Sequence, residues 1–126
     1  MVFARVLQID NLVKVVFDGT PENDEDAIAY FTTIEKIYEE KKSFLILYDA
    51  RDIGVVSPRH INLQVQFIKK NRQHTLKFVT RGAILMKSRV AQKMLQLVFM
   101  FRTPAPQFKT FNESDRADAY LRDGTL

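Results

Sequence analysis

Apolar and polar residues alternate along ARVLQID (4–10) and NLVKVVFDG (11–19), the period-two pattern of strands with one buried face. Asp10-Asn11 between them suits a tight turn, so the chain is expected to open on a hairpin. Gly19 closes the second strand and Thr20-Pro21 sets up a turn. Asn23 or Asp24 can then cap a helix that carries Glu25 and Asp26 against the positive end of its dipole. From there Ala27, Phe31, Ile34 and Tyr38, with Ile28 and Ile37 beside them, recur at three- and four-residue steps, which predicts an amphipathic helix of about five turns.

The next stretch, SFLILYDA (43–50), is too continuously apolar for a half-exposed strand and too short for a buried helix. It is placed as a central strand covered on both faces, with parallel neighbours, ending at Asp49 and followed by a loop from Arg51 to Val56. Ser57-Pro58 matches an N-cap with proline at the first helical position, and Ile61, Val65 and Ile68, with Leu63 and Phe67, give that helix its stripe to about Arg72–His74. RGAILMK is the fourth strand. Ser88 is expected to cap a third helix, SRVAQKMLQLVFMFR, whose second half is apolar except for Gln96 and so exceeds what one sheet face can cover. Thr103 to Pro106 break it, PQFKTF forms a fifth, edge-type strand, and Asn112 caps a last helix ending at Gly124. The order ββαβαβαβα over residues 1–126 is that of one α/β domain with a mixed, mostly parallel five-stranded sheet and about four helices.

Composition narrows the chemistry. With no cysteine among 126 residues, disulfides, thiol nucleophiles and thiolate metal sites are excluded. His60 and His74 lie fourteen apart without carboxylates at ligand spacing, so no metal is expected; His60 reads as a solvated first-turn residue and His74 as a helix C-terminal one. The net charge of +4 conceals a segregation: residues 1–56 hold six basic and eleven acidic side chains, residues 57–111 eleven basic and none acidic, and the remainder two basic and four acidic. Such a block can attract an anion, or it can be neutralised within the fold by the acidic first helix. No run is long and apolar enough for a membrane span and the N-terminus does not read as a secretory signal, so the protein is read as cytoplasmic.

Few residues carry recognisable chemistry. No glycine sits in a phosphate-cradling motif, and Ser57 lacks the flanking glycines of a nucleophile elbow, so no cofactor and no enzyme activity are expected. Asp49 and Asp52 lie at the C-terminal edge of a parallel strand, where ligands gather; the plainer role is to anchor the loop, with Asp49 paired to Arg51 or to a cation of the basic block. Arg59, Lys69, Lys70 and Arg72 are the candidates for an anion or a lipid head group beside an apolar surface. Nucleic acid is disfavoured because Phe67, Phe78, Phe101 and Phe108 fall on core-facing positions and cannot stack bases.

The opening hairpin ending in VVFDG, the acid-rich helix, the strand FLILYDA, the basic strand RGAILM and the closing KTFNESDRADAYL together resemble a STAS domain. The nearest group is the bacterial SpoIIAA-like one, and the closing segment fits the family's F-x-x-x-x-x-A-x-x-W/Y-L finish. The resemblance implies a regulatory module. In antagonists of this family a hydroxyl at the start of the second helix is phosphorylated; here Ser57 falls beside that position, but Val56-Ser57-Pro58-Arg59 lacks the acidic residue and the glycine of the motif. Some SpoIIAA-like proteins resemble lipid-transfer folds and hold apolar ligands. The leading expectation is therefore a non-enzymatic module acting through protein association as a homodimer, with Met94, Val98 and Phe101 on its association surface. The alternative is a carrier or sensor of a small amphiphilic anion or lipid, with peripheral membrane contact left open. A phospho-switch at Ser57 is third.

Overall fold

The computed structural model describes residues 2–87 and 105–126. The chain opens with β1 (Ala4–Ile9) and β2 (Leu12–Gly19), antiparallel and joined by a turn in which Asp10 takes a positive φ of 53°. Helix α1 (Asp24–Glu39) starts where the Asn23 side chain accepts the Asp26 N–H at 2.8 Å, leaving Asp24, Glu25 and Asp26 in the first turn. Then come β3 (Phe44–Ile53), α2 (Pro58–Lys70), α3 (Arg72–Phe78), β4 (Val79–Leu85), β5 (Phe108–Phe111) and α4 (Ser114–Asp123).

The sheet order is β1-β2-β3-β4-β5, and β2, β3, β4 and β5 run parallel to one another, with only β1 antiparallel. FLILYDA thus occupies the centre of the layer. Its alternate residues feed two cores. Phe44, Ile46 and Ala50 join Val13, Val15 and Phe17 under α1, while Leu47 joins Ala83, Leu85 and Phe111 under Ala117, Tyr120 and Leu121 of α4. Burial on both faces is why the strand reads as an unbroken apolar run. Over β1 and β2 the α4 face is less covered: Leu7 and Ile9 are 43% and 58% exposed.

Several boundaries differ from the sequence reading. β3 does not stop at Asp49, because pairing with β2 continues through Asp18–Asp52 to Gly19–Ile53 after a one-residue slip. The expected single helix after Ser57 breaks at Asn71, whose backbone (φ −101°, ψ 12°) leaves the helical region and whose side-chain amide donates to the Phe67 carbonyl at 3.2 Å. His74 therefore sits inside the separate α3 rather than at the end of a long helix. β4 begins at Val79, not Arg81. The residue flanking α4 at its N-terminus is Glu113, not Asn112, and it makes no side-chain cap. Tyr30, outside the expected stripe of α1, is buried in it. Ser88 and the expected third helix, with Met94, Val98 and Phe101, lie outside the described residues.

Two contacts bind the elements after β4. Arg81 donates to the Leu121 carbonyl at 2.9 and 3.1 Å and to the Arg122 carbonyl at 3.2 Å, supplying positive charge where the α4 dipole is negative, just before Gly124 ends the helix in a left-handed conformation. The second contact needs a glycine. A Cβ on Gly82 would stand 2.3 Å from the Phe108 ring, so only glycine lets that ring lie flat against β4. Gly82→Ala is expected to force Phe108 aside and to lower stability by about 1–3 kcal/mol. The urea midpoint should fall with an unchanged m-value; a midpoint equal to the parent's would show that the ring moves without cost.

Candidate functional site

Between the sheet and α2 lies a cavity of about 130 Å³. Its floor is Tyr48 and Ala50 of β3 with Phe17 of β2 and Phe108 of β5, and its roof is Ile61, Gln64, Phe67 and Ile68 of α2. These α2 residues recur at three- and four-residue steps; Ile61, Phe67 and Ile68 of the expected stripe line the cavity together with Gln64, while Leu63 and Val65 do not. Ile53, Gly54 and Val56 close the end where β3 gives way to the loop. Asn71, Arg72 and Thr75 line the other end, to which α2 returns.

Three phenols converge on this space from two elements. The Tyr30 hydroxyl donates to Gln64 Oε1, and Gln64 Nε2 donates to the Ala27 carbonyl at 3.0 Å, so one glutamine holds α2 to α1 twice. The Tyr38 hydroxyl lies 2.8 Å from Thr75 Oγ1, which in turn donates to the Asn71 carbonyl at 3.1 Å. The Tyr48 ring is stacked 6.2 Å from both Phe17 and Phe108, tilted by 17° and 32°. Burial pushes all three phenols above their usual range, so they are neutral hydrogen-bonding groups at physiological pH. Arg72 is the one charged side chain among the described lining residues.

α2 covers the cavity without being deeply embedded. Phe67 is its one buried residue, its ring stacked 4.0 Å from Phe31 of α1. The rest is held by the two bonds of Gln64 and by ion pairs. Arg59 Nε donates to both oxygens of Asp24 at 2.9 and 3.0 Å, His60 Nε2 sits 3.0 Å from Asp24 Oδ1, and Lys70 pairs with Glu35 at 3.2 Å. Arg59 and Lys70, expected among the anion-binding residues, thus face acids of α1; Lys69 is exposed, and Arg72 alone of that set lines the cavity. His60 is not the solvated residue its position suggested: its side chain is 12% exposed, because it packs between α2 and the start of α1 to reach Asp24.

Ser57 is exposed, and its Oγ accepts the His60 N–H at 3.2 Å as the N-cap of α2. Asp49 is 6% exposed and receives Arg51 Nε at 2.9 Å and Nη2 at 2.8 Å on its two oxygens, with the Arg51 N–H at 3.3 Å. The Arg51 guanidinium, with smaller help from its backbone N–H and from Lys14, holds the Asp49 carboxyl below its usual range. Asp52 is exposed, beyond the register slip in β3. Tyr30, Tyr48, Gln64, Asn71 and Thr75 were not singled out from sequence. The available signal was a polar tip on an inward position: tyrosine inside FLILYDA, and glutamine in the stripe of α2.

A family model described as SpoIIAA-like matches residues 12–122. Among solved structures, an uncharacterized protein with a SpoIIAA-like fold from Shewanella loihica superposes with a TM-score of 0.68 at 16% identity, covering 94% of this chain and 91% of that one. An anti-sigma factor antagonist from Mycobacterium paratuberculosis gives 0.63 at 14% identity, covering 95% and 93%. No curated protein matches the sequence.

Hydrogen bonding by Arg59 lowers the Asp24 pKa from 3.8 to about 2, with His60 adding to the effect. A carboxyl whose pKa is depressed in the folded state contributes stability above its unfolded value, and that contribution is lost as pH falls through the folded one. Asp24→Asn should therefore be less stable than the parent at neutral pH and lose less further stability between pH 3.8 and about 2. Parallel acid titrations of chemical stability check this; parent and variant curves of the same shape would show that the clasp adds nothing.

Proposed function

The chain belongs to the SpoIIAA-like family, and from that premise we propose that it is a non-enzymatic regulatory module whose working part is the cavity under α2, a receptor for a small, mainly apolar ligand. The cavity is the observation that carries this reading: about 130 Å³ of space walled by aromatic and aliphatic side chains with a few convergent polar groups, the make-up of a ligand pocket. The same features weigh against catalysis. The described lining offers neutral phenols and amides and one guanidinium, and no group poised to exchange a proton near neutral pH.

Protein association is the second reading. It is favoured by the likeness in fold to an anti-sigma factor antagonist and by apolar exposure on β1 at Leu7 and Ile9. The proposed homodimer surface at Met94, Val98 and Phe101 belongs to this reading, and a strict monomer by sedimentation at tens of micromolar would remove the dimer. A phospho-switch at Ser57 draws least support, since the nearby Arg59 is occupied by Asp24 and Ser57 already serves as a cap.

Native mass spectrometry of the purified protein, followed by thermal shift with a series of amphiphiles from single rings to long chains, tests the pocket. A ligand at a hundred times its dissociation constant should stabilise the protein by about 2.7 kcal/mol. Ala50→Leu, which places added bulk on the cavity floor at a residue 1% exposed, should abolish that shift while the protein stays folded. An unaltered ligand response in the variant, or no response to any compound in the parent, would overturn the pocket.

A further inference from the structure

The pocket's size and the state of its three phenols restrict what it takes. A cavity of about 150 Å³ lined by apolar side chains is known to hold one benzene ring, and this one is about 130 Å³. A long acyl chain is several times the length of such a ring and would have to push α2 away, breaking both bonds of Gln64 and the contacts of Asp24. A single ring needs no such rearrangement. The walls suit a flat guest, since Tyr48 lies nearly parallel to Phe17, and ring faces and edges gain from stacked or edge-on aromatic partners.

The polar groups are equally selective. Tyr30 is taken by Gln64 and Tyr38 by Thr75. Among the described residues nothing hydrogen-bonds the Tyr48 hydroxyl, although its ring is held on both sides and it lines the cavity at the centre of the sheet. A ligand offering one hydrogen-bonding group would meet that hydroxyl. A charged group there would lose its hydration among apolar side chains, the rings beside Tyr48 being those of Phe17 and Phe108.

We propose that the cavity binds a neutral single-ring aromatic compound bearing one hydrogen-bonding group, of the phenol class, with the ring between the aromatic floor and Phe67 of α2 and the polar group on the Tyr48 hydroxyl. This rests on the pocket being a ligand site, and it excludes the long-chain lipids and amphiphilic anions that the basic segment suggests.

The test is an NMR titration of the full chain with four probes: p-cresol, toluene, benzoate and hexadecanoate. The expected order is p-cresol first, toluene weaker, and no saturable shifts from benzoate or hexadecanoate at cavity residues. In Tyr48→Phe, p-cresol affinity should drop up to about tenfold, the scale of one hydrogen bond, while toluene affinity stays unchanged. Binding of hexadecanoate in preference to the ring compounds, or of benzoate more tightly than p-cresol, overturns the ligand class and leaves the pocket standing. No binding by any probe, with Ala50→Leu indistinguishable from the parent, removes the pocket and this proposal together. Equal loss of p-cresol and toluene in Tyr48→Phe, or no loss of either, overturns the role given to the hydroxyl.

Discussion

The structure depends on β3 being enclosed on both faces. A strand with neighbours on either side and helices above and below has no solvent-facing side, so every side chain must be apolar or must find a partner. In FLILYDA two consecutive residues break the apolar run, Tyr48 and Asp49, and the pleat sends them to opposite faces. Asp49 goes toward α4 and is neutralised by Arg51, two positions on and therefore on the same face. Tyr48 goes toward α1 and α2 and puts its ring in an aromatic stack. One pleat thus separates a structural ion pair from the floor of a cavity.

The two sides of the sheet are closed by different means. On the α4 side, small and aromatic side chains pack directly on β3, β4 and β5, and Arg81 fastens the end of the helix through its carbonyls. On the other side, α1 packs on the sheet but α2 leans on α1, joined by Gln64, the Phe31–Phe67 stack and the ion pairs of Asp24 and Glu35. A helix attached to another helix rather than to the sheet leaves space beneath it. Asn71 sets how far that space extends, by ending α2 and letting α3 turn down to β4.

The basic middle segment acquires a different meaning once these contacts are known. Taken along the chain it is a block of cations suited to an anionic partner. In three dimensions Arg59 and Lys70 answer acids of α1, and Arg81 answers the carbonyls of α4. The acidic first helix and the basic second helix are complementary parts of one domain, so for Arg59 and Lys70 the charge segregation in sequence records which helices lie side by side.

Among the described residues, the order of the five strands, the first and last helices, the central placement of FLILYDA, the caps at Asn23 and Ser57 and the parallel sheet were legible in the sequence. They follow from periodicity, burial on two faces and hydrogen bonds between near neighbours, and such signals are local. The extension of β3 to Ile53, the break at Asn71 and the burial of His60 were not legible, since each rests on a backbone pairing or a side-chain contact formed only in the folded chain. The cavity is the extreme case. Tyr30, Tyr48, Gln64 and Thr75 are each unremarkable where they stand in the sequence, and the angle at which α2 rests on α1 alone makes them walls of one space. A sequence fixes which residues want to be buried; how completely the buried space is filled is set by distances between elements, and those exist only after the helices have docked.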